Sequence, residues 1–198
     1  QTMRTAVVTA SYANDFERCR LMCESMDRKL QGDWKHYLLV ADFDVALFRQ
    51  LEGARRVVVS ERDLLPWWLH PVTDPLSAGR RKVWLSPFGL PLRGWHAQQL
   101  RRLALARHID EATMFAVDSD VVFLRPFDPA SLWHADRLTL YRKDGAIDAH
   151  MRSNHLAWLA HSDRLLGIGP YRLPANDYIN TLIGWRTDTC RKLLDHIE

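Results

Sequence analysis

The chain has 198 residues, a length that suits one domain, and 47% of them are hydrophobic, enough to fill a core. Its net charge of +3 is too small to argue for a nucleic-acid partner, and no apolar run nears the roughly 18 residues needed to cross a bilayer. Cys19 and Cys23 lie four apart on one helical face and Cys190 is alone, which fits neither a disulfide scaffold nor a zinc site and predicts buried thiols in a reducing, cytoplasmic compartment.

The run RTAVVTA (4–10) is apolar and β-branched and predicts a buried first strand. NDFERCRLMCESM (14–26) repeats apolar residues at helical spacing, with its start marked by Asn14 or Asp15. KHYLLVADFD (35–44) predicts a second strand, VALFRQL (45–51) a short helix and RRVVVSE (55–61) a third strand. This β-α-β-α-β order with short links predicts an α/β fold whose central sheet is mostly parallel and flanked by helices.

From 61 to 94 the periodicity disappears among prolines 66, 71, 75, 87 and 91, with Trp67, Trp68 and Trp84 between them. A segment this long reads as a lid or substrate loop, with a packed excursion as the structural alternative. PWWLHP within it could touch a membrane surface, although it lacks an amphipathic helical pattern. GWHAQQLRRLALARHID (94–110) returns to helix, with Leu100, Leu103 and Ala104 on the face that packs on a sheet. Its arginines, like those of GRRKVW (79–84), read either as a solvated face or as an anion-binding one.

ATMFAV (112–117) predicts a fourth strand and RLTLYR (137–142) a fifth. An irregular stretch with Gly167, Gly169, Pro170 and Pro174 leads to a last strand at 181–186 and a helix capped by Thr187 or Asp188. The ending CRKLLDHIE carries no helix-stop signal, so the natural protein is expected to continue beyond Glu198. The whole of 1–198 reads as a single domain.

Ligands of open α/β sheets bind at the carboxyl ends of the strands, and the fourth strand ends on Asp118 and Asp120. Their spacing of two lets both carboxylates point to one side if the backbone stays extended. Two carboxylates so close repel unless a cation sits between them. Mg²⁺ or Mn²⁺ meets that need and keeps positions open for phosphate oxygens. The pattern therefore suggests a metal-bridged diphosphate, the alternative being a solvated turn.

FAVDSDVVFLRPFD (115–128) resembles the DXD segment of GT-A fold glycosyltransferases, the nucleotide-diphospho-sugar transferase superfamily. More narrowly it is similar to bacterial members found with polysaccharide genes, in which a Trp-x-x-Gln-Gln helix precedes that strand, as WHAQQLRRLALA (95–106) does here. TAVVTASYANDFERC (5–19) resembles the family's first strand and nucleotide-binding loop, and DYINTLIGWRTDTCRKLL (177–194) the strand and helix after its DXD.

The resemblance implies a GT-A, Rossmann-like sandwich that moves a sugar from a nucleotide-diphosphate donor to a glycan or other acceptor, with Mn²⁺ or Mg²⁺ as cofactor. It implies a cytoplasmic protein at the inner face of the membrane, in peripheral contact with it. Asp120 would be the principal metal ligand and Asp118 a second ligand or ribose contact, with Ser119 beside the sugar nucleotide. Thr9, Ala10, Ser11 and Tyr12 would cradle the nucleoside, with Asp42 as a further contact. Gln98, Gln99 and Arg102 would face the donor, Arg102 offsetting diphosphate charge. Asp177 and Asn180 fall on the acceptor or donor-sugar side, Asp177 being also the candidate catalytic group. His150, His155 and His161 are spaced by five and six, which gives no shared helical face for ligands. A general base and third metal ligand are expected beyond Glu198. Two competing functions are a haloacid-dehalogenase-like phosphatase, whose Asp-x-Asp sits on the first strand, and a non-catalytic sugar-nucleotide-binding module.

Overall fold

A computed structural model describes residues 4–77, 81–150 and 153–197. The first half contains β1 (Thr5–Ala10), α1 (Phe16–Lys29), β2 (Trp34–Val40), α2 (Val45–Phe48) and β3 (Arg56–Ser60). Then come β4 (His70–Thr73), β5 (Lys82–Ser86), β6 (Gly89–Arg93), α3 (Gly94–Leu105) and β7 (Thr113–Val117). The last part holds β8 (Trp133–His134), β9 (Arg137–Leu138), β10 (Lys143–Ile147), α4 (Ser153–Leu166), β11 (Ala175–Asp177), β12 (Leu182–Arg186) and α5 (Thr187–Ile197).

The central sheet has the order β12-β7-β1-β2-β3. β1, β2, β3 and β7 are parallel and β12 runs antiparallel to β7 at the edge. The inner strands are covered on both faces, which is why they read as continuous apolar runs rather than alternating ones. Val7, Leu38, Val40, Phe115 and Val117 meet the α1 and α2 layer, while Ala6, Val8, Ala10, Leu39 and Met114 meet the α3 and α5 layer. On α1, Cys19, Met22, Cys23 and Met26 recur at the spacing of one helical face and are buried against the sheet. All three cysteines are buried and unpaired.

Three parts differ from the sequence expectation. Residues 61–94 are not a structureless loop: β4, β5 and β6 form an antiparallel sheet with β5 in the centre. Pro71 and Pro91 lie on its two edge strands, where a missing N–H is tolerated, and they hide the alternation. Part of GRRKVW, Gly79 and Arg80, lies outside the described residues. The run 137–142 is no central strand; only Arg137–Leu138 pairs, in a two-residue ladder with Trp133–His134.

The irregular stretch contains the helix α4, whose periodicity is weak because Trp158, Leu165 and Leu166 remain exposed. Gly167, with φ +64°, ends it: Gly167 N donates to Arg164 O and Ile168 N to Asp163 O at 3.1 Å, a Schellman closure. The fourth strand ends at Val117, in keeping with the expectation that it stops at the aspartates, and VVFLRPF beyond them lies outside the sheet. Phe123 N donates to Ser25 Oγ at 3.0 Å, Phe127 bridges Leu30 and its ring stacks on Phe115 at 5.6 Å, so this segment is fastened to α1 and to the core between α1 and the sheet.

A polar chain crosses the α1 layer. Arg56 Nε donates to His36 Nδ1 at 2.8 Å, which leaves Nε2–H to donate to Thr9 Oγ1 at 3.0 Å. Arg56 also reaches Asp27 Oδ1 at 2.7 Å and the carbonyls of Cys23 and Leu51. Burial, and then the Arg56 charge, hold His36 well below the usual imidazole range. The unfolded chain takes up a proton near pH 6.5 and the folded one does not. Stability is therefore retained above that pH and falls below it, by up to about 1.4 kcal/mol per pH unit. Urea unfolding between pH 7.5 and 5 is expected to show this loss, and His36→Gln, which preserves an acceptor and a donor, is expected to flatten it.

Candidate functional site

The chain leaves β1 for β2 and β3 on one side, then returns through α3 to β7 on the other. At such a reversal the segments after the two strands diverge and a crevice opens at the carboxyl edge. Ser11 follows β1 and Asp118 follows β7, on the two lips of that crevice.

Helix α3 packs across β1 and carries two adjacent arginines. Neighbouring residues on a helix diverge by about 100°, so these two reach different strand ends. Arg102 Nη2 donates to Asp118 Oδ1 at 2.6 Å. Arg101 donates to Glu61 Oε2 through Nη2 at 2.6 Å and Nε at 3.1 Å. The same Glu61 oxygen accepts from Trp84 Nε1 at 2.9 Å, and the Arg101 guanidinium lies over the Trp84 ring at 5.3 Å. Both arginines are buried. This part of the basic run is thus not a solvated face but a pair of internal counter-ions.

Three buried polar atoms near these strand ends have no protein partner: Ser11 Oγ after β1, Glu61 Oε1 after β3 and Arg102 Nε beside Asp118. An unsatisfied buried group costs about 1–3 kcal/mol, so such atoms mark places for water or ligand. Asp44, after β2, adds a buried carboxylate that accepts from Ala13 N at 3.2 Å. Burial pushes its pKa up, against the opposing pull of that backbone hydrogen bond. Acceptors from the β2 and β3 ends and a cation beside the β7 end suit a polar anionic ligand lying across the sheet edge.

A cleft of about 1190 Å³ opens beside the Arg102–Asp118 pair, between α3, α4, α5 and β12. Asp118 N donates to Thr181 O at 3.0 Å, which brings Asn180 and Thr181 to the same wall. Trp95 and Trp158 stack at 5.5 Å on the opposite side. His161 lines the cleft from α4, and His155 packs on Trp158 at 5.0 Å.

Of the residues singled out by sequence, Gln99, Arg102, Asp118 and Asn180 share this cleft. Asp120 is exposed on a turn closed by Val121 N to Asp118 O at 3.3 Å, so the backbone does not stay extended as a common direction for the two carboxylates requires. Ser119 is buried within that turn. Thr9 is fully buried, its hydroxyl committed to His36 in the α1 layer, and Ala10 belongs to the opposite core. Ser11 is buried with its hydroxyl unpartnered, while Tyr12 is exposed at the sheet edge. Asp42 accepts from Ser60 Oγ at 3.1 Å and pairs with Arg62.

Gln98 is half-buried on α3 and does not line the cleft. Asp177, the catalytic candidate, stands in β11, where its Oδ1 accepts from Ile179 N at 2.9 Å and shapes the turn towards Asn180. His150 lies apart, on a turn set by Asp148. Sequence reasoning missed Glu61, Arg101 and Asp44. Glu61 carries the signal used for Asp118, a carboxylate directly after an apolar strand.

Among the described residues no three His, Cys, Asp or Glu side chains are grouped to hold a metal. Asp118 Oδ2 and the exposed Asp120 are hard oxygen donors. They fit Mg²⁺ or Mn²⁺ only if phosphate and water supply the other positions, which is the common habit of Mg²⁺. Arg102 already balances the Asp118 charge.

Glu61→Ala leaves Arg101 buried without its counter-ion, and urea unfolding is expected to show a loss of about 3–5 kcal/mol. Glu61→Gln, which keeps an acceptor for Trp84, is expected to lose less.

Residues 3–198 match the family described as a family of unknown function, DUF6492, and the chain belongs to it. No curated protein matches. Among solved structures, the chain is similar to the galactosyltransferase LgtC in complex with donor and acceptor sugar analogs, at 16% identity and a TM-score of 0.47, over 96% of this chain and 61% of that one. It is also similar to the glycosyltransferase GlyE of Streptococcus pneumoniae TIGR4, at 16% identity and a TM-score of 0.46, over 98% of this chain and 38% of that one. The chain thus spans about three fifths of LgtC and under two fifths of GlyE. With TM-scores below 0.5, neither likeness bears on what this chain does.

Proposed function

We propose that the carboxyl-edge crevice binds the nucleotide-diphospho-sugar donor of a glycosyltransferase, which transfers the sugar to a glycan or other acceptor. One observation carries this: the Arg102–Asp118 pair stands at the strand-order reversal, with unpartnered buried atoms of Ser11, Glu61 and Arg102 at neighbouring strand ends. A phosphomonoesterase is less favoured, because Asp118 follows β7 rather than the first strand and is held in an ion pair by Arg102.

In this reading Arg102 turns a buried donor towards diphosphate oxygens, as a charge-assisted hydrogen bond. Glu61 and Asp44 accept from ribose hydroxyls or base N–H groups. Tyr12 offers an exposed ring to the base. Mn²⁺ or Mg²⁺, held by Asp118 Oδ2 and Asp120, would supply charge neutralisation for the departing nucleoside diphosphate. The acceptor enters through the cleft lined by Asn180 and His161. Asp177 is occupied by its own turn, so no general base is assigned within 1–198. These residues together form a single sugar-nucleotide-binding domain.

Thermal unfolding with UDP or GDP, each with and without Mn²⁺, tests the donor site. A ligand at 100 times its dissociation constant adds about 2.7 kcal/mol, which for a domain of this size is a rise of roughly 5–10 °C. The rise is expected for one nucleotide and is expected to vanish in Arg102→Ala and Asp118→Asn. No rise with any nucleoside diphosphate, or an unchanged rise in both variants, overturns the proposal. Donor binding without transfer of a labelled sugar would instead assign a binding module.

Chelation by EDTA, or Asp120→Ala, is expected to reduce the Mn²⁺-supported rise while leaving the Tm of the ligand-free chain within about a degree. An Asp120→Ala chain that keeps the full rise would remove Asp120 from the metal site.

A further inference from the structure

The β4-β5-β6 sheet is anchored by its inner side chains and bare at one end. Trp84 and Leu69 are buried in the α3 layer, and Leu92 packs against it. The register His70↔Leu85 brings the 66–69 turn beside the hairpin that joins β5 to β6, and Trp68 meets Phe88 edge to face at 5.1 Å. Beyond that contact three large apolar side chains stand in solvent: Trp67 is 91% exposed, Phe88 79% and Leu90 87%. A rigid hairpin that holds such residues away from the core marks an interaction surface.

Charge identifies the partner. Residues 64–93 hold four Lys and Arg and one Asp or Glu, whereas Arg101 and Arg102 further along are neutralised inside the fold by Glu61 and Asp118. The one carboxylate, Asp74, is tied to Leu76 N at 2.9 Å. Arg81 and Arg93 are exposed, and the register Val83↔Arg93 places them together at the end of the sheet opposite the hairpin, while Lys82 between them turns to Thr73 Oγ1 at 2.9 Å and the Phe43 ring at 5.2 Å. Four residue steps along a strand separate the two arginines from the tip, about 13 Å.

We propose that this hairpin is a docking element for an anionic lipid bilayer. Trp67, Phe88 and Leu90 enter the boundary between headgroups and acyl chains, which amphipathic elements reach to a depth of roughly 5–10 Å. Trp favours that interface, since its ring is apolar and its N–H is wet. At that depth Arg81 and Arg93 stand at the headgroup surface, where lipid phosphates attract them. The surface is separate from the Arg102–Asp118 crevice and does not depend on sugar transfer.

Co-sedimentation of the whole chain with phosphatidylcholine vesicles, with or without 30% phosphatidylglycerol, tests it. Binding is expected with the anionic vesicles, weakening as salt is raised. Phe88→Ser/Leu90→Ser is expected to reduce partitioning by about tenfold or more. Arg81→Glu/Arg93→Glu is expected to remove the preference for phosphatidylglycerol. Both pairs are exposed, and an unchanged Tm confirms that the variants fold. Absence of binding to either vesicle, or equal binding by the Phe88→Ser/Leu90→Ser chain, overturns the proposal. So does a dimer in light scattering that this variant converts to monomer, since a second copy would then cover the hairpin.

Discussion

Two neighbouring arginines on α3 hold the carboxyl edge of the sheet together. Arg101 closes on Glu61, directly after β3, and Arg102 on Asp118, directly after β7. One helix thereby ties two strand ends that stand on either side of the β1–β2 pair. The crevice between them has its width set by two buried or half-buried ion pairs rather than by apolar packing alone. Such pairs contribute little net stability against hydrophobic substitutes, but losing one partner is costly. Their value lies in fixing where charge stands.

The two pairs differ in what they leave open. Glu61 meets Arg101 and Trp84 with a single oxygen and keeps the other buried and unpartnered. Arg102 spends one nitrogen on Asp118 and keeps Nε unpartnered. With Ser11 Oγ, the edge holds two sites that can accept and one fixed cation. That is a poor arrangement for an empty core and a good one for a ligand with hydroxyls and negative charge. Exposed aromatic surface adjoins this edge in the Trp95–Trp158 cleft, which Arg102 and Asp118 also line, and stands on the β5–β6 hairpin.

Much of this was legible before any coordinates. The runs at 4–10, 35–44, 55–61 and 112–117 correspond to β1, β2, β3 and β7, because strands buried on both faces need uninterrupted apolar residues. Asp118 was legible as a strand-end carboxylate, and Gln99, Arg102 and Asn180, singled out with it, line the same cleft. The β4-β5-β6 sheet was not, because its prolines sit on edge strands and interrupt the alternation that would mark it. Nor was α4, whose apolar residues face a cleft instead of a core, so that no clean helical stripe appears. Gly167 was visible, but as a loop glycine rather than as the residue that closes a helix.

The sequence by itself determined the order and parallel sense of β1, β2, β3 and β7 and the placement of a carboxylate where a strand ends, since these follow from local periodicity and short connections. Only the tertiary structure decided which charges meet. Arg101 and Arg102 are adjacent in the chain yet serve Glu61, 40 residues before, and Asp118, 16 residues after. It also decided that Thr9 turns into the α1 layer while Ser11 remains at the edge, and that the backbone turns between Asp118 and Asp120. Pairing of this kind depends on the angle at which a helix crosses a sheet and on where a strand stops, and neither is written in the spacing of residues along the chain.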